Sequence, residues 1–146
     1  NSPLNKLGKE PWDEDLTITY LKEKLNKKKP IKTLLLDQTI IAGIGNIYAD
    51  EILYLSQINP QTQGTKLTTK NLSAIIKNTQ EILEKSIKKG GTTIHTYTSV
   101  DGITGLFQQE ILVHGKENQP CPKCHTKILK TTINGRGTYY CPNCQK

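Results

Sequence analysis

Methionine is absent from this 146-residue chain, phenylalanine and tryptophan occur once each, and Arg136 is the only arginine among 20 basic residues. Aromatic residues make up 5% and hydrophobic residues 34%, too lean a supply for one large core. No apolar run reaches the roughly 20 residues that a membrane-spanning helix requires. Without methionine the chain has no initiator of its own, which fits either a residue removed ahead of Asn1 or a segment of a larger protein. No secretory leader is visible, so reduced cysteines in the cytosol are the expectation.

What is present is concentrated at the far end. Cys121-Pro-Lys-Cys124 and Cys141-Pro-Asn-Cys144 are separated by sixteen residues, a spacing within the window of a four-cysteine zinc site. Each pair supplies two thiolates from a tight turn, and Pro122 and Pro142 stiffen both turns. Such a closed site leaves no open coordination position, so one structural Zn²⁺ is expected, with all four cysteines as ligands. Two disulfides would suit a secreted chain instead. Cys121–His125 also reads C-x-x-C-H, the attachment pattern of c-type haem. Haem would need an axial partner, with only His95 and His114 to offer, and would leave Cys141 and Cys144 unexplained. His125 reads as a solvated neighbour of the zinc site.

The formal charge of +7 is uneven. From Gly115 onward six basic residues stand against Glu117 alone, an excess of five charges that a zinc tetrathiolate lowers to three. Lysine for solubility would give the same total, but placement around a zinc module points to nucleic acid.

Along the chain, residues 1–12 mix proline, glycine and lysine without period and read as a linker. A helix follows, capped by Asp13 or Asp15, with Ile18, Leu21 and Leu25 on one face. Pro30 restarts the chain ahead of a short buried helix over 31–37. Ile40–Asn46 makes an apolar turn with two glycines before a helix over 46–56 that turns Ile47, Ile52, Leu53 and Leu55 inward. Thr68 opens a long amphipathic helix through Leu72, Ile75, Ile76, Thr79, Ile82, Leu83, Ser86 and Ile87, and Gly90-Gly91 stops it. Residues 92–107 lack helical period and read as a long mobile loop. Ile111–His114 reads as a short strand. Between the cysteine pairs two strands flank Asn134-Gly-Arg-Gly137, a hairpin signal. The fold class is mainly α with a small β part: a helical domain followed by a β-hairpin zinc finger.

Gly43-Ile-Gly45-Asn46 ahead of a helix suggests a phosphate site, since glycine lets the backbone approach closely and the first helical N–H groups point outward. A tight helix–helix turn with a capping asparagine accounts for the same residues. Arg136, between two glycines at the hairpin tip, is placed for bidentate bonds to phosphate.

The stretch from Leu34 through Leu53, including Gly43-Ile-Gly-Asn-Ile-Tyr-Ala-Asp-Glu51, with Ile58-Asn-Pro60 after it, resembles the helix-two-turn-helix segment of bacterial formamidopyrimidine-DNA glycosylases. Gly90-Gly-Thr-Thr93 and the run Gly135-Arg-Gly-Thr-Tyr-Tyr-Cys-Pro-Asn-Cys-Gln145 are similar to that family's later signatures, and Leu7-Gly-Lys-Glu-Pro11 to its interdomain linker. The resemblance implies a linker over 1–12, a helix-two-turn-helix domain over 13–107 and a zinc finger over 108–146. It implies half of a base-excision repair enzyme that removes oxidised purines, 8-oxoguanine and formamidopyrimidines, and then nicks the strand. Its partners would be damaged double-stranded DNA and the N-terminal catalytic domain of the same protein, in a monomer associated with the bacterial nucleoid. DNA contacts would fall on Gly43, Gly45, Asn46, Ile47 and Arg136, with Asn46 and Arg136 gripping phosphates around the lesion. Tyr97, Thr98, Ser99, Val100, Asp101 and Gly102 would belong to the loop closing over the everted base.

In that family the nucleophile is an N-terminal proline amine followed by a glutamate, on a separate domain that also supplies a catalytic lysine. Pro3 here is internal and no glutamate follows it. A nitrogen in amide linkage cannot form a Schiff base, so no catalytic residue is expected in this chain, which should bind DNA without cutting it. Two other readings share these residues: a natural non-catalytic zinc-finger DNA-binding module, and a fragment of an endonuclease VIII-like enzyme.

Overall fold

A computed structural model describes residues 8–90 and 111–146. Its elements run α1 (Ile18–Lys24), α2 (Ile31–Leu35), α3 (Asn46–Ser56), a 3-10 turn (Gly64–Lys66), α4 (Thr69–Gly90), β1 (Leu129–Ile133) and β2 (Arg136–Tyr140). The expected mix of helices and one small antiparallel sheet is what forms. Gly91, His95 and the segment Tyr97–Gly102 lie outside the described residues.

The helical part closes around Leu21, Leu25, Ile31, Leu34, Leu35, Ile40, Ile41, Ile52, Leu53 and Ile75, all at most 1% exposed apart from Ile40 at 2%. α3 lies at its centre, packed on α4 and α2. Its buried apolar positions are Tyr48, Ala49, Ile52, Leu53 and Tyr54, adjacent pairs one turn apart. Ile47 falls off that stripe and stays half-exposed, against the expectation that it turns inward. On α4 the expected face is buried at Leu72, Ile75, Thr79 and Ile82. Thr68 and Asn71 bond reciprocally at its start, each side chain accepting the other's backbone N–H.

α1 begins later than expected. Asp13 turns its carboxylate onto the N–H of Asp15 at 2.8 Å, closing a local turn, and Thr17 becomes the cap by accepting the Tyr20 N–H at 3.1 Å. The lead-in is tied down from Gly8 onward: Gly8 and Lys9 donate to Gln38 and Ile40 carbonyls, and Ala42 returns a bond to Lys9. Pro11 is buried and Trp12 packs on the core. Gly8 has to be glycine, because a Cβ there would collide with the Ile40 carbonyl.

Two further differences bear on the site. Ile111–His114 is a turn and not a strand, because a carboxylate of α3 takes the N–H groups a neighbouring strand would have used. The hairpin turn is two residues long. Asn134 and Gly135 both take positive φ, 51° and 77°, the backbone of a type I′ turn that matches strand twist. Arg136 therefore opens β2, paired with Ile133, rather than standing in a loop.

Candidate nucleic-acid interface and metal centre

The segment ahead of α3 is shaped by two glycines. Gly43 takes φ 91°, with its N–H held by the Gln38 side chain at 2.7 Å, and Gly45 is the helix N-cap with no side chain to occupy it. Both are exposed, and a Cβ at either would meet open space. What glycine provides here is a surface that an outside group can approach. Asn46 does not cap the helix; it is the first helical residue. Its Nδ2 donates to the Gly137 carbonyl at 3.2 Å across 91 positions of sequence, while its Oδ1 is buried without a partner among the described residues. An amide nitrogen carries two N–H groups, and this bond uses one of them.

Gly137 follows Arg136 directly, so this bond sets the hairpin end against the start of α3. Arg136 is exposed and borders a cleft of about 260 Å³ with Lys29, Thr33, Asp37 and Asn134. The structure thus brings Gly43, Gly45, Asn46 and Arg136 to one neighbourhood. Ile47 sits beside them, half-exposed.

Beneath this surface lies a polar cluster that sequence patterning does not reveal. Lys32, on α2, is fully buried and donates to Gly137 O and Thr138 Oγ1, both at 2.9 Å, while pairing with Asp50 Oδ1 at 2.8 Å. Asp50 Oδ2 meets His114 Nδ1 at 2.7 Å and accepts the Tyr139 N–H at 3.3 Å. Burial lowers the Lys32 pKa from its ordinary value, the Asp50 carboxylate opposes that, and the positive charge of Arg136 adds to the lowering. Glu51, beside Asp50, accepts the N–H groups of Leu112, Val113 and His114 at 2.7, 3.0 and 3.0 Å. Burial raises its pKa against the pull of those three donors. A buried lysine looks like any surface lysine in sequence. The available signal was on α3, where Asn46, Asp50 and Tyr54 recur at four-residue spacing and Glu51 adds a second acid to a helix that also buries Ile52 and Leu53.

The four cysteines converge as expected. Their sulfurs all lie within 4.8 Å of one another, with Cys121–Cys144 at 3.9 Å and Cys124–Cys141 at 3.5 Å. A tetrahedron with Zn–S bonds of about 2.3 Å has edges of about 3.8 Å, so the set fits one zinc ion. The two turns are built alike: His125 N donates to Cys121 O and Gln145 N to Cys141 O, at 2.9 and 3.0 Å. His125 is exposed and shapes its turn through a positive φ of 68°. Gln145, wholly buried, also accepts the Cys141 N–H and donates to Ile58 O, tying the finger to the helical part.

The thiols are electrostatically uneven. Bonds from Thr126 bring Cys124 down to about 5, and burial pushes Cys144 up to about 12. Burial also raises Cys141; at Cys121 it is outweighed by hydrogen bonds from Tyr54, Cys124 and Lys123, which leave that thiol lowered. Crowded sulfurs cannot all ionise unaided, and a divalent cation between them is what lets the whole set become thiolate.

With this geometry in place, similarity to known proteins is specific. Residues 7–98 match the family described as "Formamidopyrimidine-DNA glycosylase H2TH domain", and residues 118–146 match "Zinc finger found in FPG and IleRS". The chain is 54% identical over 143 residues to a formamidopyrimidine-DNA glycosylase of Ureaplasma parvum, covering 97% of this chain and 52% of that protein. The fold superposes on Lactococcus lactis Fpg in complex with abasic-site DNA, with a TM-score of 0.83 and 37% identity over 98% of this chain and 53% of that one. It matches Lactococcus lactis Fpg in complex with FAPY-dG-containing DNA equally well, with a TM-score of 0.83 and 39% identity over 98% and 52% of the two chains. The chain therefore spans about half the length of the curated relatives it matches. Among the described residues no helix is long and apolar enough to cross a membrane.

Proposed function

This chain belongs to the formamidopyrimidine-DNA glycosylase family, matching its helix-two-turn-helix and zinc-finger half, and from that premise we propose that it grips damaged duplex DNA for a base-excision repair enzyme. The observation that carries the reading is the 3.2 Å bond from Asn46 Nδ2 to the carbonyl next to Arg136. It joins the open glycine-flanked start of α3 to the chain's only guanidinium. One phosphate at the α3 N-terminus would meet helix N–H groups, the Asn46 amide and a bidentate cation together. Zinc holds the hairpin that presents Arg136.

Base eversion costs a few kcal/mol in lost stacking, and a rigid two-point hold on the backbone offsets that cost. Excision of oxidised purines and strand nicking belong, in this reading, to the whole enzyme, with residues 1–12 as lead-in, 13–107 as the helical unit and 108–146 as the finger. The 146 residues here supply grip and no nucleophile.

Titration of an abasic-site duplex at several salt concentrations tests this. Asn46→Ala and Arg136→Ala should each weaken binding by about 1–3 kcal/mol, with a shallow salt slope because few phosphates are touched. Unchanged affinity in both variants would refute the clamp. A borohydride-trapped covalent adduct between this chain and the duplex would refute the division of labour.

A further inference from the structure

We propose that Tyr54 acts on the zinc from outside the finger: its hydroxyl donates a hydrogen bond to the zinc-bound Cys121 thiolate, shields that sulfur from electrophiles and slows loss of the metal. Tyr54 Oη lies 3.1 Å from Cys121 Sγ, and both residues are buried, at 1% and 0% exposure. In the free thiol either atom could be the donor. Zinc removes that ambiguity, because a coordinated sulfur is a thiolate and has no proton to give. The hydroxyl must then donate.

The sulfurs are not equivalent in this respect. Cys121 and Cys141 each accept a backbone N–H of their own turn at 3.4 Å, from Lys123 and from Cys144. Among the described residues, Tyr54 is the donor that reaches a cysteine sulfur from the helical part. Its ring is fixed in an apolar cluster with Val113, Ile128, Cys121 and Cys141. Lys123 Nζ stands 5.9 Å over the ring, a cation–π contact that helps hold it in place. A hydrogen bond of this kind withdraws charge from sulfur, and nucleophilicity follows that charge. Outer partners of metal ligands govern affinity for the same reason.

Burial alone would protect Cys121 and Cys141 equally, since both are 0% exposed. The hydroxyl breaks that equality, and the difference is measurable. Tyr54→Phe keeps the ring and removes only the donor. Zinc transfer from the intact chain to a chromogenic chelator should speed up about tenfold, the lower end of what such outer contacts contribute. During slow alkylation with iodoacetamide, a sulfur lone pair forms the S–C bond as iodide leaves. Peptide mapping should show modification of Cys121 rising relative to Cys141 in the variant. Zinc release at the wild-type rate would overturn the proposal. So would an equal rise at both cysteines, which would mean loosened packing. A measurement without substitution guards against a misfolded variant: in the cadmium-loaded chain, spin coupling should pass from the metal nucleus to the Tyr54 hydroxyl proton, and its absence would equally refute the bond. None of these readouts involves DNA, so they stand or fall separately from the clamp.

Discussion

The two parts of this molecule hold their shape by different physics. The helical part buries seventeen apolar residues in one cluster. The finger shares a cluster of five, of which two are the cysteines Cys121 and Cys141 and one, Tyr54, is lent by α3. A two-stranded sheet with so little beneath it is at best marginal in water. The finger must therefore be shaped from within by metal and from outside by polar bonds to α2 and α3. Among the described residues, most of the buried apolar side chains lie in the helical part. The lesson is that the half carrying Arg136 is the conditional one.

The largest test of this contrast is removal of zinc. Structural zinc contributes on the order of 10 kcal/mol in isolated finger peptides, so chelation should abolish the dispersed amide signals of residues 119–146. The far-UV helical signal of α3 and α4 should persist. If both were lost together, the two parts would form one cooperative unit and the contrast would fail. A smaller effect is expected at the seam between them. Lys32→Ala leaves Asp50 buried with its lysine partner gone, which should cost about 3–5 kcal/mol in urea unfolding. A cost near zero would mean that His114 and the Tyr139 N–H satisfy Asp50 unaided. The smallest effect lies wholly in the helical part. The Thr39 hydroxyl, 2.6 Å from Asp37 Oδ1, lowers the Asp37 pKa from 3.8, with Lys27 and Lys29 assisting. A depressed acid contributes its full stability above its unfolded value and loses it as pH falls through the lower folded value. NMR titration should therefore place the Asp37 midpoint below 3.8, and Thr39→Val should move it upward.

Much of the site is legible in the order of residues alone. The boundaries of α3, the four ligands and the hairpin all follow from local rules: glycine before a helix, C-x-x-C spacing, and Asn-Gly between alternating residues. The failures share a cause, which is competition between local and distant partners. Asp13 is a good cap by type, yet its carboxylate is taken by a turn two residues away, and Thr17 caps instead. Ile111–His114 has strand-like residues, yet Glu51 claims its N–H groups from about 60 positions upstream. Lys32 is illegible because its reason for burial, Asp50 and the hairpin carbonyl of Gly137, lies 18 and 105 positions away.

The hold of Glu51 on residues 112–114 has a consequence for how this sequence can vary. Its carboxylate reads backbone N–H groups and ignores the side chains attached to them. The path of the approach to the finger is thereby fixed through its backbone by one residue of α3, and its side chains answer to other neighbours. Val113, fully buried, has to remain apolar, and the His114 ring answers separately to Asp50. Leu112, half-buried against the cluster around Tyr54, favours an apolar side chain as well, and none of the three positions can become proline, the one residue with no N–H to offer.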